Sequence, residues 1–425
     1  MKPKLFRDPV HDTIAIDQDD VGRVILALLD TREVQRLRRI RQLGLSFLVY
    51  PGAEHSRFAH SLGVLHVAST VLDRLAARFP VSDEDRLTTL CACLLHDVGH
   101  GPFSHALEAF TGVRHEVWSH GIITSPDTEV NAVLRAVDPS LPERVAARVE
   151  RTEAAPSFLT DIVSSQLDAD RLDYILRDGH ATGVRIGAFD LERILALLDV
   201  ADGHLAVHVG AQEAVEGYLL ARFHMYKQVY LHKTSRTAER MLEAALRRAQ
   251  ELALGGAYGF GYWPGGAVGR LVRGETLAPA AFADLDDMDL WVALKRWADE
   301  ADPSLAALAG GLVGRKLWKP LVVPAQNEER AGELAEGARA NARVKGLDPR
   351  YAVLVDSCKD PLYKPYTGVG DKRTAIRIVD EQGRAAFIED RSEVVKMLGQ
   401  LTLRQRIVCV HPRLRGAVQR MVAGG

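Results

Sequence analysis

Histidines and an aspartate that could hold a metal gather in the stretch 57–105. His60 lies early in one apolar segment, and the adjacent pair His96-Asp97 ends the next. His100 and His105 follow in a glycine-rich turn. Imidazole and carboxylate groups are ligands that suit Fe, Mn, Zn or Co. The stretch therefore predicts a metal site.

The pair His96-Asp97 also has a plainer interpretation, a core histidine hydrogen-bonded to its neighbour. The segment LTTLCACLLHD is apolar all round, which predicts a buried helix. An ionised carboxylate at its end is costly to bury unless it is paired or binds a metal. Because two more histidines lie in the next turn, the metal site is favoured.

A second polar face is predicted in SSQLDADRLDYILRDGHATG. In a helix, Asp170, Tyr174 and Asp178 fall at i, i+4 and i+8, with Arg171 beside them. An exposed acidic face with salt bridges is one interpretation. The other is a site for metal, phosphate and sugar together, because the face combines carboxylate, guanidinium and phenol.

These stretches together supply one ligand set: His60, His96, Asp97 and Asp170. Three or four protein ligands leave coordination positions for water and substrate, which is typical of a catalytic metal. Such a metal lowers the pKa of bound water and polarises a phosphoryl oxygen, so phosphoester hydrolysis is the expected reaction.

The leaving oxygen of such a hydrolysis needs a proton. His105 or His100 is placed to give it, and Glu108 lies three residues after His105, where it can orient that imidazole.

Further along the chain, one helix of about forty residues is predicted in EAVEGYLLARFHMYKQVYLHKTSRTAERMLEAALRRAQELAL. It carries a stripe of cationic and aromatic residues. Arg222, Tyr226, Tyr230 and Lys233 recur there at i, i+4, i+8 and i+11. The stripe is either part of the core or one side of a nucleotide pocket, and both interpretations stay open.

A basic segment near the N-terminus, DTREVQRLRRIRQLG, predicts a helix capped at Asp30-Thr31. Four of its arginines follow closely on one another, at positions 36, 38, 39 and 41. A solvated basic face is the default interpretation of such a run, and phosphate contact is the alternative.

Composition predicts a soluble globular protein of two or more domains, since the chain has 425 residues, 47% of them hydrophobic. A net charge of -2 gives no general attraction to nucleic acid or membrane. Four cysteines without a CxxC pair suit a reducing cytoplasm. No signal peptide or membrane span is expected, so the predicted location is cytoplasmic.

The fold predicted is mainly helical. From about residue 321 short β-type runs alternate with helical segments, which predicts a helical domain over 1–320 and a smaller α+β domain over 321–425.

The spaced H, HD and D set resembles the HD-domain metal phosphohydrolase superfamily. The blocks DTREVQRLRRIRQLG, PGAEHSRFAHSLG, HDVGHGPFSH, DADRLDYILRD and RFHMYKQVYLHK are similar to the deoxynucleoside triphosphate (dNTP) triphosphohydrolases, including the sterile-alpha-motif/HD-domain enzymes. The resemblance runs from about Lys4 to the C-terminus. It implies a helical HD core and metal-dependent cleavage of dNTPs to deoxynucleoside and intact triphosphate.

The resemblance also implies a role for individual residues. The implied metal ligands are His60, His96, Asp97 and Asp170. The implied proton-transfer group is His105, supported by Glu108 and His115, with His100 nearby. The implied substrate contacts are Gln42, Leu43, Arg57, Arg171, Tyr174, Asp178 and Arg222, with Tyr174 beside the sugar. Mg²⁺ is expected on the phosphates. Tyr230 and Lys233 of the stripe are predicted to contact the substrate as well.

Regulated members of the resembled family bind a guanine nucleotide at an oligomer interface. Asp30, Gln35 and Arg38 stand at the matching positions, with Lys4 nearby. The resemblance thus implies a nucleotide-activated homo-oligomer, a dimer or a tetramer.

Three residues depart from the family pattern: Arg171 replaces a Lys, Glu108 an Asp and Ala59 a Glu. The first two keep the charge but change the reach. Two alternatives remain beside the dNTP hydrolase. One is an HD phosphohydrolase of another nucleotide, such as a monophosphate, a modified nucleotide or an alarmone. The other is a non-catalytic nucleotide sensor or a nucleic-acid-binding protein.

Overall fold

The structure, a computed structural model, describes residues 2–153, 155, 157–255, 262–323, 328–361 and 375–423. Helices dominate these ranges, as predicted. The α-helices, α1 to α22 in chain order, are Asp20–Leu29, Arg32–Arg36, Arg57–Ala76, Asp83–Leu95, His105–Thr111, His115–Thr124, Glu129–Val137, Leu141–Glu150, Phe158–Val163, Ala169–Thr182, Leu191–Ala196, Gln212–Met225, Lys233–Leu254, Gly266–Val272, Pro279–Phe282, Asp287–Trp297, Pro303–Val313, Glu328–Val344, Pro349–Ala352, Ile388–Arg391, Glu393–Gln400 and Arg415–Ala423. The strands, β1 to β9, are Lys4–Asp8, Asp12–Ile16, Leu198–Ala201, His204–His208, Lys319–Val323, Val353–Pro361, Arg377–Val379, Ala385–Phe387 and Thr402–Val410.

Three packed helices position the predicted ligands. Helix α3 lies between α4 and α10 and contacts both. Side-chain caps fix where each helix begins, because Ser56, Ser82 and Asp168 each accept a hydrogen bond from a backbone N–H in the first turn. Helix α4 is buried over its last eight residues and ends immediately before His96. The apolar run before the HD pair is therefore a core helix, as predicted.

The predicted forty-residue helix is interrupted. Helix α12 ends at Met225, a π-helical turn spans Tyr226–Tyr230, and α13 begins at Lys233 with His232 as its side-chain cap. The prediction of one continuous helix was wrong here. Wide turns of this kind are frequent at functional sites.

The basic segment at 32–41 is a short helix, α2, followed by a 3₁₀ turn. Arg36 is 1% exposed and donates to the carbonyl oxygens of Val98, His100 and Leu285 at 2.8–2.9 Å. The default interpretation of a solvated face was thus wrong for Arg36. A buried guanidinium can replace its hydration with such carbonyl partners, and here it fixes the turn after the HD pair.

The β-strands form three small sheets. Strands β1 and β2 make an N-terminal antiparallel hairpin, and β5, β9 and β6 make an antiparallel sheet in that order. The third sheet has the order β3-β4-β7-β8, in which β4 and β7 are parallel. This sheet joins segments on both sides of residue 320, so the predicted two domains share a sheet.

None of the helices in the described ranges has both the length and the apolar character that a membrane crossing requires.

Candidate active site

The predicted metal ligands converge at the adjoining ends of α3, α4 and α10. His60 Nε2 lies 3.1 Å from Asp170 Oδ1, and His96 Nε2 lies 3.7 Å from the same oxygen. Asp97 Oδ1 is 3.4 Å from His96 Nε2. His60, His96 and Asp170, separated by up to 110 residues of sequence, therefore direct nitrogen and oxygen atoms to one point, and Asp97 lies beside His96.

The two histidines of this cluster fit a divalent cation. His60 Nδ1 lies 2.8 Å from Asp173 Oδ2, and His96 Nδ1 lies 2.8 Å from the carbonyl oxygen of Cys93. Since both acceptors require an N–H, Nδ1 carries a hydrogen in each ring, and Nε2 is the atom available to a metal. Both Nε2 atoms are buried and have no hydrogen-bond partner among the described residues. This is the arrangement of metal-binding histidines, whose second nitrogen donates to a neighbouring acceptor.

The electrostatics of the cluster favour positive charge. Burial lowers the pKa of His60, but Asp170 and Asp173 outweigh that effect and raise it to about 10. Burial likewise opposes the charge on Asp170, yet His60 and His96 hold the pKa of its carboxyl below the usual range. A site that stabilises a proton between carboxylates also stabilises a bound cation at that place.

A second histidine group lies beside the first. Glu108 accepts a hydrogen bond from His115 Nδ1 at 2.6 Å, and its other oxygen is 3.5 Å from His105 Nδ1. Glu108 raises the pKa of His105. Burial and the nearby Arg57 keep the pKa of His100 well below its usual value. His105 thus suits a proton donor, whereas His100 is held neutral.

The distances also group Asp97, His100 and His115 as a set that could hold an ion. The rings of His100 and His115 are stacked, however, with centroids 3.7 Å apart and planes 16° from parallel. The lone pair of an imidazole nitrogen lies in the plane of its ring. The lone pairs of two nearly parallel, stacked rings therefore do not point at one ion. The first cluster is therefore the better metal site.

A cavity of about 460 Å³ opens beside both groups. The predicted substrate residues that line it are Gln42, Leu43, Arg57, Arg171, Tyr174, Asp178 and Tyr230. Asp97, His100, His105, His115 and Asp170 line it as well. The predicted ligands, proton groups and most of the substrate residues thus share one space.

Arg57 stands between the cavity and the metal-ligand cluster. It pairs with Asp97 and donates through Nε and Nη2 to Ser104 Oγ, at 3.2 and 2.8 Å. Phe103 and Ser104 have φ angles of +50° and +43°, a region that non-glycine residues rarely adopt. Strain in this turn is compatible with function, because it places Ser104 under Arg57 and begins α5 at His105.

Aromatic rings form one wall of the cavity. The Tyr174 and Tyr230 rings contact each other edge to face with centroids 6.0 Å apart, and Tyr226 contacts Tyr230 at 5.0 Å. Tyr230 donates to Asp178 Oδ2 at 2.8 Å, and His55 Nε2 lies 2.7 Å from Asp178 Oδ1. The aromatic part of the predicted stripe therefore faces the cavity, and Asp178 holds it in place.

The cations of that stripe lie elsewhere. Among the described residues, Arg222 and Lys233 are not part of the cavity lining. Arg222 is 7% exposed, donates to Gln166 Oε1 at 3.2 Å and lies over the Tyr226 ring. Lys233 is exposed at the start of α13, after the turn that ends the π-helical segment. The broken helix explains why Lys233 leaves the face of Tyr226 and Tyr230.

Two of the residues matched to a nucleotide activator are in contact. Arg38 donates through Nε to Gln35 Oε1 at 2.8 Å and lies 3.6 Å above the Phe58 ring. Asp30 is exposed at the end of α1, and Lys4 is exposed in β1. Phe58 follows Arg57 in α3, so this surface adjoins the metal-bearing helix.

Several residues of the site were not foreseen from the sequence. Asp173 contacts His60, His11 contacts Asp173, and Ser104, Arg236 and Glu239 line the cavity. Asp173 had one available signal, since it is a charged residue at a position that α10 buries completely. Ser104 belongs to the turn before His105, whereas His11, Arg236 and Glu239 reach the site through folding of distant segments.

The fold and the site define a metal-dependent hydrolase of the HD type, and the comparisons agree. Residues 57–175 match the HD domain, and residues 189–255 match the HD associated region. The chain is 37% identical over 397 residues to the uncharacterised protein YwfO of Bacillus subtilis, which covers 93% of this chain and 89% of that protein. The chain belongs to the HD-domain phosphohydrolase family, whose HD domain implies a divalent metal.

The names of two further similar proteins state an activity. The crystal structure of a phosphohydrolase from Bacteroides thetaiotaomicron is similar with a TM-score of 0.83 and 31% identity, over 96% of this chain and 100% of that one. The deoxynucleoside triphosphate triphosphohydrolase SAMHD1 of Gallus gallus is 32% identical over 284 residues, which is 58% of this chain and 45% of that protein. The chain thus spans less than half of SAMHD1.

Proposed function

We propose that the protein hydrolyses dNTPs to deoxynucleoside and inorganic triphosphate. The observation that carries the proposal is the juxtaposition of a His/Asp metal-ligand cluster with a cavity lined by Arg57, Arg171 and Tyr174. The similarity to SAMHD1 over 58% of this chain supports the dNTP as the substrate.

The metal would be held by His60, His96, Asp97 and Asp170. Fe, Mn, Zn and Co all suit such a ligand set. When bound, a metal of this kind activates water and polarises a phosphoryl oxygen.

The arginines that line the cavity would hold the triphosphate, with Mg²⁺ on its oxygens. Arg57 lies next to Asp97, so its contact would place the α-phosphate near the ligand cluster. Arg171 is anchored by Asp168 and by the carbonyl oxygen of Ser165, which leaves its guanidinium in a fixed position at the cavity. Pairs of positioned guanidinium groups are strong phosphate binders.

The proton for the leaving group would come from His105. Water oxygen bonds to the α-phosphorus as one water proton passes to solvent, the bond from phosphorus to O5′ breaks, and O5′ leaves with the proton of His105. The carboxylate of Glu108 favours the protonated imidazole. Selection of deoxyribose is assigned to Tyr174, whose ring lines the cavity and packs against Tyr230.

A guanine nucleotide bound near Lys4, Asp30, Gln35 and Arg38 would activate the protein and join copies of the chain into a dimer or tetramer. The contact of Arg38 with Gln35 supports a common site for these two residues.

The test is product analysis. Metal-stripped protein would be reloaded separately with Mn²⁺, Fe²⁺, Zn²⁺ or Co²⁺ and incubated with each dNTP, each NTP and each dNMP in the presence of Mg²⁺ and GTP. Ion-exchange chromatography separates triphosphate, pyrophosphate and phosphate. We expect deoxynucleoside and triphosphate in equal amounts from dNTPs.

Asp97→Ala is the inactive control, and Asp127→Ala, an exposed substitution outside the site, is the matched active one. Cleavage of dNMPs without triphosphate release would replace the proposal by the monophosphatase alternative. Absence of turnover in wild type with every metal and nucleotide would favour a sensor.

A further inference from the structure

The N-terminal hairpin reaches the metal-ligand cluster through buried polar side chains. His11, in the turn between β1 and β2, places Nε2 2.7 Å from Asp173 Oδ1. The other oxygen of Asp173 lies 2.8 Å from His60 Nδ1. The side chains of His11, Asp173 and His60 are 5%, 0% and 0% exposed. One carboxylate therefore joins the hairpin to a predicted metal ligand.

Asp8 and Arg177 anchor both ends of this connection. Arg177 donates to the two oxygens of Asp8 at 2.8 and 3.1 Å and to the two oxygens of Asp173 at 2.9 Å each. Asp8 also accepts from the backbone N–H groups of Val10 and His11, at 2.9 and 3.0 Å. The carboxylate of Asp8 thus shapes the turn that carries His11 and also holds Arg177.

The state of Asp173 determines which groups donate. Both of its oxygens accept from the guanidinium of Arg177, which is always charged and pairs with an ionised carboxylate. An ionised carboxylate accepts hydrogen bonds and donates none. Both imidazoles therefore donate to it, His11 from Nε2 and His60 from Nδ1, which leaves His60 Nε2 as the atom that faces the metal-ligand cluster.

We propose that His11 is a positioning residue for the metal centre. Through Asp173 it fixes the ring orientation and the tautomer of His60, so that the hydrogen bond donated by His11 sets the affinity for the metal. Loss of a group that hydrogen-bonds to a metal-ligating histidine typically weakens metal binding by about 10- to 100-fold. Asp173 is that group here, and His11 acts through it. The inference rests on the metal centre of the proposed function, and not on the identity of the nucleotide.

The test measures Mn²⁺ affinity of the full-length, metal-stripped protein by isothermal titration calorimetry. His11→Phe keeps a ring of similar volume beside His66 but removes the donor. His11→Gln restores an N–H donor. Ile14→Ala, in β2, removes core packing from the same hairpin without touching the polar connection.

We expect His11→Phe to weaken Mn²⁺ binding by about tenfold or more, and His11→Gln to recover part of the loss. Ile14→Ala lowers the unfolding temperature but leaves the affinity unchanged. Equal Mn²⁺ affinity in folded His11→Phe and wild type would overturn the inference. An equal loss in Ile14→Ala would overturn it too, because hairpin stability alone would then explain the effect.

Measurement of dNTP turnover on the same wild-type sample separates the two proposals. Tight Mn²⁺ binding with the expected order of variants, but no triphosphate from any dNTP, removes the proposed function and leaves this inference standing. Normal triphosphate release with equal affinities in all variants removes this inference alone.

Discussion

Glu108 connects the histidines on the turn side of the site. Its oxygens lie 2.6 Å from His115, 3.5 Å from His105 and 3.9 Å from His100. The carboxylate both orients His115 and raises the pKa of His105. If His105 gives the proton to the leaving oxygen, Glu108 determines the pH up to which that proton is present.

Glu108→Gln is therefore expected to change the pH profile. The hydrogen bond with Glu108 is the largest cause of the raised pKa of His105. His105 of the variant should therefore lose its proton at a lower pH than His105 of the wild type. The descending limb of kcat/KM on the alkaline side should move to lower pH, and kcat should fall by about 10²-fold, as for loss of a supported general acid. Initial rates of triphosphate release between pH 5.5 and 9.5 measure both.

The matched control is Glu150→Gln, which removes the carboxylate 3.0 Å from His120 outside the site. Its profile should overlay that of wild type. An unshifted alkaline limb in Glu108→Gln would show that His105 is not the acid.

At the residue scale, the sequence was sufficient to predict which side chains come together in the metal-ligand cluster and along most of the cavity, because His, Asp and Tyr rarely recur together at these spacings for another reason. It was insufficient for the His11 and Asp173 contact, which joins residues 162 positions apart. A single histidine in a hairpin carries no spacing signal, so only the packing of the hairpin on α10 reveals it.

Helices α3 and α10 approach closely at Gly63. A Cβ atom on this residue would lie 1.9 Å from Asp173 Oδ1 and 2.4 Å from Arg177 Nη2. Both of those side chains are buried and hydrogen-bonded, so neither can move aside without losing partners. The glycine is therefore required for the two ligand-bearing helices to meet.

Gly63→Ala should separate α3 from α10. We expect a loss of about 1–3 kcal/mol in the free energy of unfolding, typical of overpacking, measured by urea denaturation. Gly217→Ala in α12 is the control, because nothing lies within 4 Å of its added Cβ. That variant should be neutral or stabilised by up to about 1 kcal/mol, since alanine favours helix. Equal stability of both variants would contradict the close approach.

Element types were predictable where hydrophobic periodicity was strong, as in α4 and α10. The interruption between α12 and α13 was not, because no glycine or proline marks it in MYKQVYLHK. The wide turn at Tyr226–Tyr230 is held by tertiary contacts, including the hydrogen bond of Tyr230 with Asp178. Such contacts override helix propensity.

At the scale of the whole molecule, the C-terminal segment supplies strands to both of the larger sheets, which are the two sheets other than the N-terminal hairpin. Strands β7 and β8 extend the sheet begun by β3 and β4, and Ile376 and Ile378 belong to the main hydrophobic core. A separate small core, which includes Val323, Val353 and Val408, lies under α18. The division at residue 320 remains a prediction, and these contacts predict that 1–320 would not be stable by itself.

Regulation by assembly also belongs to the scale of the whole molecule. If a guanine nucleotide joins copies of the chain, GTP should raise the molar mass measured by light scattering after size-exclusion chromatography and should shorten any lag in dNTP turnover. Arg38→Ala should need about tenfold or more GTP for both effects, the usual cost of losing a charged hydrogen bond.

Arg39→Ala provides the control for that measurement, because the side chain of this neighbouring arginine pairs with Asp286 instead. Identical GTP dependence of Arg38→Ala and wild type would remove the activator site. Full activity and constant mass without GTP would remove activation altogether.

Attack of water at the α-phosphorus is the central claim, and hydrolysis of a dNTP in H₂¹⁸O tests it most directly. Mass spectrometry of the separated products locates the label. The proposed mechanism predicts one ¹⁸O in the triphosphate and none in the deoxynucleoside, with no label incorporated by Asp97→Ala. Label in orthophosphate, pyrophosphate or a nucleoside monophosphate would contradict it.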